Sequence, residues 1–148
     1  MGVMQERYRS IVDVHVILYQ DGQILLLERR ATGYADGKLH LPSGHLEEGE
    51  PLHAGAAREA REEVGVALDP GHLTLAAVVH HRQREDLARV GMFFVATRWS
   101  GQPHVAEPHK AGKLVWADPS LLPSNTIDYP AAGIRAWLNN AGYVPHGW

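Results

Sequence analysis

One strongly marked helix, with short strand-like runs before and after it, constrains the fold of this chain most. Residues 51–64 begin with Pro51 and are followed by Gly65, residue types that commonly start and end helices. A stripe of mostly small apolar residues recurs at helical spacing within this segment and ends at Val64. Because alanine side chains permit close approach, we expect this helix to lie directly against a sheet.

Alternating side chains before the helix predict a β-hairpin. In residues 11–19, valines and a leucine occupy one face, and Asp13, His15, Ile17 and Tyr19 occupy the other. This period of two is typical of a strand. An Asp-Gly pair follows and precedes a second apolar run, which is a strong hairpin signal.

The rest of the chain repeats the order of strands followed by a helix. We predict further strands at residues 39–42, 73–82, 90–98 and 114–116, and a second helix at residues 131–140. This order predicts an α/β or α+β fold in which helices flank a mixed sheet. The length of 148 residues suits a single domain spanning residues 1–148.

Composition excludes several classes of site and partner. Apolar residues make up 45% and charged residues 21%, as in ordinary globular proteins. The formal net charge is −3, so we expect no nucleic-acid partner that needs a broad basic surface. The absence of cysteine excludes disulfides, zinc-thiolate sites and cysteine nucleophiles. A metal would therefore be held by carboxylates, histidines or backbone carbonyls.

Apolar segments long enough for targeting or membrane insertion are missing from the sequence. Residues 1–7 contain no stretch of signal-peptide length, and the longest apolar runs are too short to span a bilayer. We therefore expect a soluble, cytoplasmic protein with no membrane partner. The sequence leaves the oligomeric state open, a homodimer included.

Three glutamates lie close together on the first predicted helix. At about 100° per residue, Glu59, Glu62 and Glu63 fall within an arc of roughly 100° beside the apolar stripe. Like charges at this spacing repel, and a divalent cation would relieve that repulsion. Oxygen ligands suit Mg²⁺ or Mn²⁺. A solvated acidic face is the alternative, but a glycine-rich loop at residues 43–49 leads into this helix and favours a metal or phosphate site.

Residues 44–66 resemble the Nudix box of the Nudix (MutT-type) hydrolases. That motif reads Gly, five residues, Glu, seven residues, Arg-Glu, an apolar residue, any residue, Glu-Glu, any residue, Gly and an apolar residue. Its nine fixed positions correspond to Gly44, Glu50, Arg58, Glu59, Ala60, Glu62, Glu63, Gly65 and Val66. Seven of them require one residue type, so a chance match has a probability on the order of 10⁻⁹ per starting position. The strand–loop–helix context and the length extend the resemblance to about the whole chain.

The resemblance implies a fold and an activity. The implied fold is an α/β/α sandwich around a mixed sheet. The implied activity is Mg²⁺- or Mn²⁺-dependent hydrolysis of a phosphoanhydride bond in a nucleoside diphosphate linked to another moiety. A (deoxy)nucleoside triphosphate pyrophosphohydrolase is our leading interpretation. An ADP-ribose or sugar-nucleotide pyrophosphatase and a non-catalytic nucleotide-sensing module are the alternatives.

The resemblance also implies roles for the residues of the box. The implied metal ligands are the Gly44 carbonyl and the carboxylates of Glu59, Glu62 and Glu63. Arg58 and Glu50 correspond to the pair that orients the loop and the helix, and the residue at the Glu59 position is a proposed general base in some members. Ser43 stands where many relatives have glycine, which requires that its φ is not positive.

Residues outside the box complete the candidate site. Many relatives add a metal-binding carboxylate from a distant loop, for which Glu107 is our first candidate and Glu85 the second, with a solvated loop position as the alternative for both. The candidate substrate-binding residues are Arg29, His81, Phe94 and Asn125. The structural alternatives for these four are a solvated strand end, a plain strand position, core packing and a turn, respectively.

Overall fold

Eight strands, two α-helices and one short 3₁₀ helix at Pro70–His72 make up the regular structure of the described residues. The computed structural model describes Gly2 and residues 4–148. Met1 and Val3, in the segment where we predict no signal peptide, lie outside the described residues. The strands are β1 Ile11–Gln20, β2 Gln23–Arg29, β3 Leu39–His40, β4 Ser43–His45, β5 Thr74–Arg84, β6 Leu87–Ala96, β7 Ala111–Ala117 and β8 Tyr143–His146, and the helices are α1 Leu52–Val64 and α2 Asp128–Leu138. No helix in this part of the chain is long and apolar enough to cross a membrane.

The strands form one mixed sheet in the order β3-β2-β1-β6-β5-β8. Strand β4 also pairs with β1, and β7 also pairs with β2. Strand β1 runs parallel to β6 and antiparallel to β2 and β4. Because β1 lies inside the sheet, its polar side chains Asp13 and His15 are buried.

The two helices cover opposite faces of the sheet. On one face, Ala56 and Ala60 of α1 pack in a cluster with Val16 of β1. On the other face, Ile134 of α2 packs in a cluster with Ile17 of the same strand. Since neighbouring residues of a strand point to opposite faces, β1 contributes to both cores. The predicted α/β/α sandwich with a mixed sheet is confirmed.

Several predicted boundaries were wrong. Helix α2 begins at Asp128, three residues before the predicted start, because a proline in the first turn is compatible with a helix. Strands β6 and β7 each begin three residues earlier than predicted. Strands β4 and β8 were not predicted. Strand β8 contains Pro145, which is acceptable at the edge of a sheet but hides the strand in the sequence.

Candidate active site

Strand β4 lies against the carboxylate-bearing face of α1. A Cβ atom at residue 44 would overlap the Glu59 carboxylate in its present position, so glycine lets the backbone approach that side chain closely. The backbone N–H of Ser43 donates a hydrogen bond of 3.2 Å to Glu63 Oε2. The φ of Ser43 is not positive, as its side chain requires. The backbone of residues 43 and 44 and the carboxylates of α1 therefore form one compact unit.

Arg58 ties the loop that precedes α1 to the helix. Its Nε and Nη2 atoms donate to Glu50 Oε2 and Oε1 over 2.9 and 2.7 Å, a bidentate pair. Arg58 Nη2 also donates to the His45 carbonyl over 3.1 Å, and the Glu47 N–H donates to Glu50 Oε1 over 2.9 Å. Hydrogen bonding to Arg58 holds the pKa of Glu50 below its ordinary value. The loop thus has a fixed position relative to the helix.

The same guanidinium contacts two of the three helix glutamates. Arg58 Nη1 donates to Glu59 Oε1 over 2.9 Å and to Glu62 Oε2 over 3.2 Å. These carboxylates therefore face Arg58 in the structure. Among the described residues, no three histidine, aspartate or glutamate side chains converge in a ready-made metal site.

Burial and repulsion by nearby negative charges raise the pKa of two carboxyl groups near β4, those of Glu59 and Glu63. The pKa of Glu63 is raised well above its ordinary value, first because its carboxyl group is surrounded by protein and then because Glu59 is close. Burial also raises the pKa of Glu59, against the opposing effect of Arg58. The Glu107 charge raises the pKa of both groups, so all three carboxylates lie within electrostatic reach of one another. Mutually repelling oxygen donors beside a glycine backbone fit a hard divalent cation.

These carboxylates line an open cavity of about 750 Å³. Glu59, Glu62, Glu63 and Glu107 lie in its wall, together with Arg58. The last of these glutamates comes from the loop before β7, far from the box in the sequence. The second candidate, Glu85, is exposed in the turn between β5 and β6 and does not line this cavity.

A second cavity of about 350 Å³ joins the first. The residues shared by both cavities are Arg29, His40, Ser43, Gly44 and His45. The wall of the second cavity also contains Asp13, His15, His81, Arg89 and Tyr129. A bound molecule could therefore extend from the carboxylates into a chamber lined by rings and basic groups.

Inside the second cavity, Asp13 is at the centre of a polar cluster. Tyr129 donates a hydrogen bond of 2.9 Å to Asp13 Oδ2, and Arg89 Nε lies 3.4 Å from the same oxygen. His15 stacks on Phe93 with ring centroids 4.1 Å apart. Burial lowers the pKa of His15 to about 3, so its ring is neutral.

A family model of the NUDIX domain matches residues 9–138. The chain belongs to the Nudix family. This Nudix hydrolase is 29% identical over 121 residues to 8-oxo-dGTP diphosphatase of Escherichia coli (strain K12). The match covers 82% of this chain and 88% of that protein. A shorter match, 35% identical over 65 residues, relates it to phosphatase NudJ of the same strain. That match spans 44% of this chain and 41% of NudJ.

Solved structures match this Nudix hydrolase over most of its length. The MutT NUDIX hydrolase from Burkholderia pseudomallei has a TM-score of 0.78 and 29% identity, over 86% of this chain and 98% of that one. The MutT protein from Methanosarcina mazei Go1 has a TM-score of 0.74 and 19% identity, over 91% and 97% of the two chains. The second comparison supports the fold alone.

The structure brings two of the four candidate substrate-binding residues to the cavities of this Nudix hydrolase. Arg29 lies where they meet, and its Nε donates to the Tyr34 carbonyl over 2.8 Å. His81 lines the second cavity and stacks on Tyr129 with ring centroids 4.3 Å apart. Its Nδ1 atom lies 2.9 Å from Nδ1 of His146 in β8.

Phe94 and Asn125 line neither cavity. Strand alternation turns Phe94 toward α1, where it is buried in the core, while its neighbour Phe93 faces the side of His15. Asn125 is exposed and donates a hydrogen bond of 3.2 Å to the Gly37 carbonyl, which gives it the turn position that we named as the alternative. Phe94 thus lies in the core and Asn125 in a turn, and their role as substrate contacts stays a prediction.

The sequence does not predict that Asp13, His15, His40 and Arg89 line the second cavity. Asp13 and His15 did leave a signal, because they occupy the same face of an otherwise apolar strand as the buried Ile17. Arg89 left none, since its position depends on the parallel pairing of β1 with β6. His40, which lies where the two cavities meet, is likewise placed by the packing of distant segments.

Proposed function

We propose that this Nudix hydrolase cleaves (deoxy)nucleoside triphosphates with Mg²⁺ or Mn²⁺, adding water to release a nucleoside monophosphate and pyrophosphate. One observation carries the proposal: Glu59, Glu62, Glu63 and Glu107 line one cavity that continues into a second chamber, and the charge of Glu107 raises the pKa of both Glu59 and Glu63. The similarity to an 8-oxo-dGTP diphosphatase supports a triphosphate as the substrate. We further propose that residues 1–148 form one such domain and act on small nucleotides in the cytoplasm.

Oxygen donors of the box and of one distant loop would hold the cation. They are the Gly44 carbonyl and the carboxylates of Glu59, Glu62, Glu63 and Glu107. A bound divalent cation neutralises phosphoryl oxygens and lowers the pKa of coordinated water. The bidentate pair of Arg58 with Glu50 keeps the loop and the helix in register, so that backbone and side-chain donors stay on the same cavity wall.

The remaining chemistry belongs to side chains of the cavity. A carboxylate beside the attacking water can accept its proton. Glu59 and Glu63 both line the cavity, so we propose one of them as the general base. Arg29 lies where the two cavities meet and would bind a phosphoryl oxygen of the substrate.

The products of a nucleotide panel test this function. We would incubate the protein with nucleoside triphosphates, ADP-ribose and a sugar nucleotide in the presence of Mg²⁺ or Mn²⁺. Pyrophosphate and a nucleoside monophosphate are the expected products. Efficient cleavage of ADP-ribose or the sugar nucleotide into two monophosphates, without triphosphate turnover, would replace the proposal with the pyrophosphatase alternative. Binding without turnover of any phosphoanhydride would favour the non-catalytic module.

Two glutamine substitutions test the assigned residues. Glu62→Gln and Glu63→Gln each remove one negative charge from the cavity while preserving side-chain length, and both should lose most of the metal-dependent turnover. Glu85→Gln is the matched control, because Glu85 is an exposed glutamate outside the cavity. Full turnover in Glu62→Gln would contradict the proposed metal site.

A further inference from the structure

The loop between β2 and β3 holds the guanidinium of Arg29. Arg29 is the last residue of β2, and its side chain lies where the two cavities meet. Its Nε atom donates a hydrogen bond to the Tyr34 carbonyl over 2.8 Å, and its Nη2 atom donates to the Thr32 hydroxyl oxygen over 3.0 Å. The guanidinium also lies over the Tyr34 ring, with Cζ 5.3 Å from the ring centroid. The hydrogen bonds to the loop use Nε and Nη2, so Nη1 remains for a ligand.

Asp36 organises this loop. Its Oδ1 atom accepts hydrogen bonds from the Thr32 hydroxyl over 2.6 Å and from the Thr32 N–H over 3.0 Å, and its Oδ2 atom accepts from the Gly33 N–H over 3.1 Å. A hydroxyl has one proton to donate, and the carboxylate is a closer acceptor than the Tyr34 carbonyl at 2.9 Å. Because the hydroxyl proton points to Asp36, the lone pairs of the hydroxyl oxygen are free to accept from Arg29. The hydrogen bonds therefore run in one direction, from Arg29 through Thr32 to Asp36.

The backbone of the loop is strained beside these residues. Ala31 and Ala35 have φ angles of 53° and 51°, in the left-handed region that is unfavourable for alanine. Such a conformation persists only where surrounding contacts hold it, and it is common at ligand-binding sites. Ala31 directly precedes Thr32, and Ala35 directly precedes Asp36. The contacts of Asp36 thus hold the loop in an unfavourable conformation that presents Arg29 to the cavities.

Stabilising the fold does not explain this arrangement. Thr32 and Asp36 are both exposed, and hydrogen bonds at the surface contribute little to the free energy of folding because water offers the same partners. Asp36 lines neither cavity, and its negative charge would repel a phosphate. Direct contact with an anionic substrate is therefore excluded as its role, and an effect through Arg29 remains.

We propose that Asp36 and Thr32 are positioning residues, which hold Arg29 so that its guanidinium binds a phosphoryl group of the substrate. This inference rests on the proposed function, which assigns a phosphoryl oxygen to Arg29. A free arginine side chain loses conformational entropy when it binds a ligand, and fixing it in advance removes that cost. Asp36 thus promotes the binding of an anion although it is itself an anion.

The direction of the change in affinity separates positioning from simple electrostatics. Asp36→Ala removes a negative charge near Arg29, so electrostatics alone predicts tighter binding of an anionic ligand. If Asp36 positions Arg29, binding should instead weaken by about fivefold or more, the factor for one lost hydrogen bond. Thr32→Val removes the hydroxyl and keeps the shape of the side chain, so it should have a similar effect. Thr32→Ser keeps the hydroxyl and should bind like the wild type.

Calorimetric titration provides the affinities. The ligand is a deoxynucleoside triphosphate with a methylene group in place of the oxygen between its α and β phosphorus atoms, added with Mg²⁺, so that this bond is not hydrolysed. In an Arg29→Ala background, Asp36→Ala should cause no further weakening, because the residue through which it acts is gone. Asp118→Ala is the matched control, since Asp118 accepts the same kinds of hydrogen bond from Ser120 in an exposed turn outside both cavities.

Steady-state kinetics with triphosphates complete the test. The loss of kcat/KM in Asp36→Ala should likewise disappear in the Arg29→Ala background. Tighter or unchanged analogue binding in Asp36→Ala, an equal loss in both backgrounds, or no binding to the wild type would overturn the inference, even if the wild type hydrolyses triphosphates. If Asp36→Ala does not fold, the contrast between Thr32→Val and Thr32→Ser decides. Binding that shows the expected coupling in a protein without turnover would refute the proposed function and leave the inference standing.

Discussion

Arg58 and Glu50 form a bidentate ion pair across the junction between the glycine-rich loop and α1. The two hydrogen bonds measure 2.7 and 2.9 Å, and the two side chains are 14% and 16% exposed. The same guanidinium contacts Glu59, so one side chain links the loop to a carboxylate of the cavity. The position of the candidate metal ligands therefore depends on the geometry of this pair as well as on its charge.

Replacing Arg58 with lysine tests that dependence. Lysine keeps the positive charge but cannot donate two parallel hydrogen bonds to one carboxylate, as the planar guanidinium of arginine does. We expect Arg58→Lys to lower the free energy of unfolding by about 1.5–3 kcal/mol, the range for hydrogen bonds to charged groups. Urea denaturation measures this change. Arg61→Lys, at an exposed position of the same helix, should leave the stability unchanged, and an equal loss in both variants would refute the special role of Arg58.

The raised pKa of Glu63 predicts a pH-dependent effect of neutralising it. Because the folded-state pKa lies above the ordinary value of 4.5, the group contributes stability that is present below pH 4.5 and is lost as the pH rises through the folded-state pKa. Glu63→Gln removes this penalty. Without divalent cations, the variant should therefore melt above the wild type at about pH 8 and close to it near about pH 5.

Thermal unfolding of the wild type and of Glu63→Gln across this pH range checks the direction of the predicted difference in melting temperature. The buried histidines also titrate between folded and unfolded states, but they are common to both proteins and largely cancel in the difference. A melting-temperature difference that shrinks as the pH rises would contradict the raised pKa of Glu63. Added Mg²⁺ should stabilise the wild type more than the variant, because the variant has lost a proposed ligand.

Local patterns predict most of this fold because most of its elements are defined by nearby residues. Alternation in residues 11–19 and the alanine stripe of α1 predict β1 and the first helix, and the structure contains both. Strand β8 escaped prediction because it is short, contains Pro145 and forms its hydrogen bonds with β5, more than fifty residues away. Pairing between distant segments leaves no periodic signal in a single sequence.

The same distinction applies to the candidate site. Residues of the box lie within one loop and one helix, so their spacing predicts that Glu59 and Glu63 approach each other. Apart from the residues that it shares with the first, the second cavity is lined mainly by β1, β5, β6 and the start of α2, and its composition follows from how these elements pack. For that reason the sequence could neither place Phe94 in the core nor bring Arg89 to the second cavity.

We predict that residue 44 in β4 must lack a side chain for Glu59 to keep its position. A Cβ at this position would overlap the Glu59 carboxylate, so Gly44→Ala has to displace a candidate metal ligand. We expect only a small change in the free energy of unfolding, because the overlapping atoms are the end of a flexible side chain, and about a 100-fold fall in turnover if the carboxylate shifts by about 1 Å. Gly142→Ala is the matched control, since a Cβ there meets no atom within 4 Å. Equal behaviour of the two variants in denaturation and turnover assays would rule out this requirement.

We predict that Glu107, which lies outside the box, contributes to cation binding. Glu107 lines the cavity, and its charge raises the pKa of both Glu59 and Glu63, so its removal lowers the negative potential there. We expect Glu107→Gln to raise the Mg²⁺ concentration for half-maximal activity about 10-fold or more, the scale for losing a group that supports a metal site. The melting temperature without cations should not fall, because a repelling charge has been removed. Glu85→Gln carries the same change on an exposed turn and should titrate with Mg²⁺ like the wild type. Identical Mg²⁺ titrations for both variants would show that the cation is held without Glu107.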